Sequence, residues 1–147
     1  MNNRQRGNAF QDWVMKWFLD NYPGCSVHNQ KTVSTMCKVV DKKTGEVKDI
    51  WISKRQDILG CIDLIVIIPK RKPLFIQATL DSSVTKRLQE LQEVPWPLEF
   101  VNVHLWQKRG DGTISIKKFT GDSLVDYGKV IRRKFFREEG PKENPDG

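Results

Sequence analysis

The chain is poor in residues that build cross-links and metal clusters. Its three cysteines, Cys25, Cys37 and Cys61, are scattered and odd in number, and no Cys-x-x-Cys pair occurs. This argues against a zinc knuckle and a disulfide framework, and a reducing cytoplasm is the expected home. The two histidines, His28 and His104, lie far apart and in no ligand spacing, so each reads as structural. No apolar run approaches the roughly 20 residues that span a bilayer. The polar start Asn2-Asn3-Arg4-Gln5 carries no signal-peptide pattern, and no membrane partner is expected. Gly-x-Ser-x-Gly, phosphate-loop and dinucleotide fingerprints are missing, as is any internal repeat. Acidic residues are in deficit, 18 against 25 Lys and Arg, for a net charge of +7. Such a surplus attracts polyanions, nucleic acid first, although it also serves simply to solvate a surface.

What is present is organised around Asp57 to Thr79. Two apolar, β-branched runs, Ile62-Asp63-Leu64-Ile65-Val66-Ile67-Ile68 and Leu74-Phe75-Ile76-Gln77-Ala78-Thr79, flank the turn Pro69-Lys70-Arg71-Lys72-Pro73. That pattern reads as a hairpin of buried strands. Asp63 interrupts the first run and Gln77 the second. A carboxylate inside such a strand needs a partner, because burying an unpaired charge is costly. In an antiparallel hairpin Asp63 and Gln77 can share a face. The plainer alternative leaves Asp63 at a solvated strand start. Asp57, an even number of residues before Asp63, would share its face in a regular strand, but Gly60 favours a bulge and Asp57 serves equally as a turn cap.

This hairpin resembles the core of the PD-(D/E)xK nuclease superfamily, which includes Holliday-junction resolvases and many restriction enzymes. In that family an Asp starts one core strand and the next carries Glu-x-Lys. Here Asp63 matches the Asp, while Gln77 and Thr79 fall where Glu and Lys are usual. Arg4-Gln5-Arg6-Gly7-Asn8-Ala9-Phe10-Gln11 is similar to the family's first-helix motif Arg-x-Gly-x-x-Phe-Glu, with Gln11 in place of Glu. The resemblance covers roughly residues 4 to 92. It implies an α/β domain with a mixed central β-sheet flanked by helices, a restriction-endonuclease-like core. It further implies DNA as partner, Mg2+ or Mn2+ as cofactor, and the homodimers common among relatives. The implied catalytic residues are Asp63, Gln77, Thr79 and Gln11. The implied metal ligands are Asp63 and the backbone carbonyl of Ala78, and Asp57 is the candidate second carboxylate from its spacing to Asp63.

The rest of the chain frames that core. One domain is expected over residues 1–138, with a disordered tail over 139–147, which lacks apolar anchors. Phe10, Trp13, Val14, Trp17 and Phe18 recur at helical spacing, so residues 5–21 form an amphipathic helix ended by Tyr22-Pro23-Gly24. Ser26 to Val33 reads as a strand, and Thr35 to Ser53 as a hairpin turning at Thr44-Gly45, with Lys38, Lys42, Lys43 and Lys48 exposed. After Asp81 or Ser82 as N-cap, a helix runs to about Glu93, with Val84, Leu88 and Leu91 inward. Phe100 to Lys108 and Thr113 to Phe119 form a hairpin about Arg109-Gly110-Asp111-Gly112. Leu124, Tyr127, Val130, Ile131 and Phe135 then predict a last, basic helix over 122–138.

Metal-dependent phosphodiester cleavage needs hard oxygen ligands, and magnesium takes one or two carboxylates with water and phosphate oxygens. Two Glu-to-Gln departures keep shape and drop charge, and Thr79 cannot replace a cation. Arg6, Lys70, Lys72, Arg87, Lys129, Arg132 and Arg133 are the candidate nucleic-acid contacts, and Lys70, Lys72 or Arg87 the candidates to supply the missing charge. Three readings follow: a metal-dependent endonuclease on branched or structured DNA, a non-catalytic DNA-binding module on the same fold, and a small protein-interaction adaptor.

Overall fold

The computed structural model describes residues 3–30, 33–54, 59–80 and 83–137. Its elements run α1 (Asn3–Asn21), β1 (Ser26–Asn29), β2 (Val33–Val40), β3 (Val47–Lys54), β4 (Leu64–Ile67), β5 (Leu74–Thr79), α2 (Val84–Gln92), β6 (Asn102–Lys108), β7 (Ile114–Phe119), β8 (Leu124–Ile131) and β9 (Lys134–Arg137). Seven strands form one sheet in the order β1-β4-β5-β6-β7-β8-β9, while β2 and β3 pair with each other. Neighbours in the large sheet are antiparallel except β5 and β6, which are parallel. A parallel pair needs a long crossover, and α2 lies within it. The fold is therefore mixed α/β, as the sequence led us to expect.

Register defines the two ends of the sheet. Asn29 faces Leu64, Thr79 faces Gln107, Lys108 faces Ile114, and Ile114 faces Val130. These residues, with Asp63 just ahead of β4, lie at one end. The β4–β5 turn, Asn102 and Phe119 lie at the other.

Apolar residues cover both faces. Phe10, Val14, Trp17 and Phe18 on α1 pack with Leu64, Val66, Ile76 and Trp106. Their four-residue steps keep them on one side of the helix. The helix ends where Gly24 takes φ +86, a value that suits glycine. The sheet curls around α1. The last strand returns to it, with the Phe135 ring 6.5 Å from Trp17 and the Trp17 indole N–H donating to the Arg133 carbonyl at 3.1 Å. On the other face Leu91 of α2 joins Ile62, Val103 and Phe119, with Phe75 and Trp96 packed at the edge.

The first strand stops at Asn29 rather than Val33, which instead opens β2. The β2–β3 hairpin turns where expected, Gly45 taking φ +74, and Lys38, Lys42, Lys43 and Lys48 are exposed. Asp57, the expected caps Asp81 and Ser82, and the tail 139–147 lie outside the described residues.

The expected helix over 122–138 is a correction: β8 and β9 occupy it as an antiparallel hairpin. Leu124, Tyr127, Val130 and Ile131 do recur at helical spacing. However, Val125, Val130, Ile131, Tyr127, Phe135 and Phe136 are β-branched or aromatic, and Gly128 weakens a helix interior. The free edge of β7 offers such a segment a ladder of hydrogen bonds. The turn is made by Arg132 and Arg133 at φ +50 and +70, both left-handed. Hairpin turns with two positive φ values normally recruit Asn or Gly. Here the turn is tied down instead by the Arg133–Asp20 ion pair at 3.0 Å and by the Trp17 bond.

Candidate active site

Asp63 sits one residue before β4 and is 5 % exposed. Its N–H donates to the Ile76 carbonyl at 2.9 Å, and its carbonyl accepts the Gln30 N–H at 2.8 Å. Its side chain Oδ2 accepts the Ala78 N–H at 2.9 Å. The carboxylate thus extends onto β5 the ladder that the β4 backbone leaves unfinished. A charge-assisted bond of this kind is stronger than a neutral one and is the partner that a buried Asp requires.

Along β5, Leu74, Ile76 and Ala78 turn toward α1. Alternation sends Gln77 and Thr79 to the α2 face, where both meet charged side chains. Gln77, 1 % exposed, donates from Nε2 to Glu90 Oε2 at 2.8 Å. Thr79 Oγ1 accepts from Arg87 Nη2 at 3.2 Å. Arg87 and Glu90 pair with each other at 3.3 Å across one turn of α2. Because a carboxylate only accepts, the Gln77 amide has a fixed orientation, with Oε1 turned away from Glu90. That oxygen is buried and meets no donor among the described residues.

Gln11 lies on α1, across the sheet from α2. It is 8 % exposed, and its Oε1 is also buried without a donor among the described residues. The next residue, Asp12, accepts from Asn29 Nδ2 at 3.0 Å, which holds this turn of α1 at the Asp63 end of the sheet. The Asn29 side-chain oxygen is a third buried acceptor with no donor among the described residues. Among the described residues no hydrogen bond joins Gln11 to Asp63 or Gln77.

The basic residues divide by location. Arg87 is inside the network. Arg132 and Arg133 lie in the β8–β9 turn at the Asp63 end, where with Lys108, Phe10 and Trp13 they line a cavity of about 250 Å³. Lys129 is half-buried on β8, and Arg6 is exposed on α1. Lys70 and Lys72 belong to the β4–β5 turn at the opposite end, so Arg87 is the cation beside Thr79. Ala78 contributes its N–H to Asp63. Among the described residues, no cluster of three or more His, Cys, Asp or Glu side chains has a spacing that would hold a metal ion.

Glu90 is the residue that sequence reasoning passed over. Only the packing of α2 over β5 brings it to Gln77. The i,i+3 spacing of Arg87 and Glu90 was the available signal. The chain matches no protein-family model, and neither a curated protein nor a solved structure matches it.

Proposed function

We propose that the chain is a metal-dependent DNA endonuclease of PD-(D/E)xK type, acting on branched or structured DNA, with its charges redistributed from strand to helix. One observation carries this reading. The two positions that depart from Glu-x-Lys are each met by the missing charge from α2: Gln77 by Glu90 and Thr79 by Arg87. Apart from the β2–β3 hairpin inserted after β1, the elements run α1, β1, β4, β5, α2, β6, and the parallel pairing of β5 with β6 makes the sheet mixed, which supports the reading. The basic turn at Arg132 and Arg133 suits a phosphate backbone approaching the same end of the sheet.

Asp63 and Gln77 are the residues that would hold a hard divalent cation. Asp63 offers a carboxylate and Gln77 an amide oxygen that lacks a donor among the described residues, and magnesium takes one or two carboxylates with water and phosphate completing its shell. A bound cation of this kind supplies Lewis-acid activation of water and of the phosphate. The protein's own contribution is positioning. Glu90 locks the Gln77 amide, Arg87 offers its guanidinium to a phosphate oxygen, and the Ala78 N–H fixes the Asp63 carboxylate.

A non-catalytic DNA-binding module on the same fold is the second reading, favoured by the burial of Asp63 and its bond to Ala78. It predicts salt-sensitive binding without cleavage under any metal. The discriminating experiment incubates wild-type and Asp63→Ala protein with linear, single-stranded and four-way DNA, with magnesium and manganese. Cleavage by the wild type alone supports the endonuclease. Binding without cleavage by either protein supports the module.

A further inference from the structure

A second pocket lies on the α1 face, toward the end of the sheet that carries the β4–β5 turn. Its volume is about 140 Å³. Trp17 and Trp106 meet edge to face there at 5.3 Å, and Tyr127 stands 4.8 Å from the His104 ring and 5.9 Å from Phe135. Phe135 faces Val130 in the ladder, and its ring reaches this position by lying over Gly128, the diagonal neighbour: a Cβ on Gly128 would come 2.5 Å from the Phe135 ring.

Three cations line the pocket, Arg71, Lys72 and Lys118, and among the described residues no acidic one does. All three are exposed, as a rim would be. Lys118 lies across from His104 in the β6–β7 ladder. Polar groups that can both donate and accept stand at the wall. His104 is 7 % exposed, and burial, with Lys118 adding to the effect, lowers its pKa to about 4. The imidazole is thus neutral near pH 7, with one donor and one acceptor nitrogen. Asn102 adds an amide. The Trp106 indole N–H is buried and has no acceptor among the described residues.

We propose that this pocket binds a pyrimidine nucleotide, with the ring against Tyr127 at the pocket mouth and the phosphate on Arg71, Lys72 and Lys118. Four features select that ligand. Aromatic walls stack a base through its π-face. A cavity of ~150 Å³ holds one benzene-sized ring, which matches a single pyrimidine ring better than a fused purine. A pyrimidine edge carries both carbonyl and N–H groups, matching His104 and Asn102. A phosphate dianion answers three cations with no acidic neighbour. The site goes beyond the proposed nuclease reading and does not rest on it, since it lies across the sheet from α2 and away from Asp63.

The test is calorimetric titration of the full chain, without divalent metal, with thymidine 5′-monophosphate, thymidine, adenosine 5′-monophosphate and inorganic phosphate. Saturable binding of the thymidine nucleotide is expected, about tenfold or more tighter than the other three. Lys118→Ala and Arg71→Ala, both at exposed positions, should each weaken it about fivefold or more. A 5′-phosphorylated oligothymidylate separates two sources of the same chemistry. Binding tighter than that of the mononucleotide identifies a strand end as the occupant, and equal binding identifies the free nucleotide; either supports the pocket. Absence of saturable binding, equal binding of phosphate alone, or unchanged binding by both rim variants overturns it.

Discussion

Gln77 on β5 and Glu90 on α2 share a hydrogen bond of 2.8 Å, amide to carboxylate, thirteen residues apart in the chain. It turns a neutral strand position into one that carries negative charge. Glu90→Gln keeps an acceptor for Gln77 and removes only the charge. Its stability should stay within about 1 kcal/mol of wild type, while metal-dependent cleavage falls at least about tenfold. Glu90→Ala leaves the Gln77 N–H buried without a partner and should cost about 1–3 kcal/mol as well. Urea melts and single-turnover cleavage of both variants separate the two effects. Unchanged cleavage by Glu90→Gln would remove Glu90 from the site.

Arg87 bridges Thr79 Oγ1 and Glu90. Arg87→Ala should reduce cleavage by about 10²-fold, the scale of losing one positioned donor at a developing charge. Lysine keeps the charge but cannot reproduce the guanidinium fork, so Arg87→Lys should recover only part of the rate. Cleavage rates at saturating DNA check this. Full activity in Arg87→Ala would show that the cation serves the fold alone.

The core hairpin was legible because β-branched runs bounded by Pro and Lys admit little else, and because Asp63 and Gln77 break those runs. The pairing of Gln77 with Glu90 was not legible, since it depends on how α2 packs over β5. The C-terminal hairpin was hidden for a different reason. Its turn is Arg132-Arg133, without the Asn or Gly that marks left-handed backbone. Tyr127, Val130 and Ile131 satisfy helical spacing as well as they satisfy a strand. The decisive local sign was Gly128, which a helix reading leaves idle and the hairpin uses to admit Phe135.

Gly128→Ala tests that use. The new methyl would meet Phe135 at 2.5 Å and the Phe136 carbonyl at 2.9 Å, one of them backbone that cannot swing aside. A destabilisation of about 1–3 kcal/mol is expected, the range of overpacking. Adding Phe135→Ala should give less than the sum of the two single losses, because the ring is part of the clash. Additive losses in urea melts would contradict this packing.

His104 makes stability depend on pH. Burial, reinforced by Lys118, lowers its pKa from 6.5 to about 4. Between those values the unfolded chain holds a proton that the folded chain refuses. The stability involved is therefore full above pH 6.5 and is lost as pH falls toward 4. The shift corresponds to about 3 kcal/mol. Unfolding midpoints of wild type should fall more steeply over that window than those of His104→Gln, and parallel profiles would count against a buried neutral imidazole.

The most direct measurement is single-turnover cleavage of four-way DNA, with magnesium or manganese, by wild-type and Asp63→Ala protein of verified fold. Cleavage by the wild type, lost in Asp63→Ala while salt-sensitive binding persists, is the expected result. Cleavage at an undiminished rate by Asp63→Ala, or none by wild type on any DNA with either metal, would contradict it.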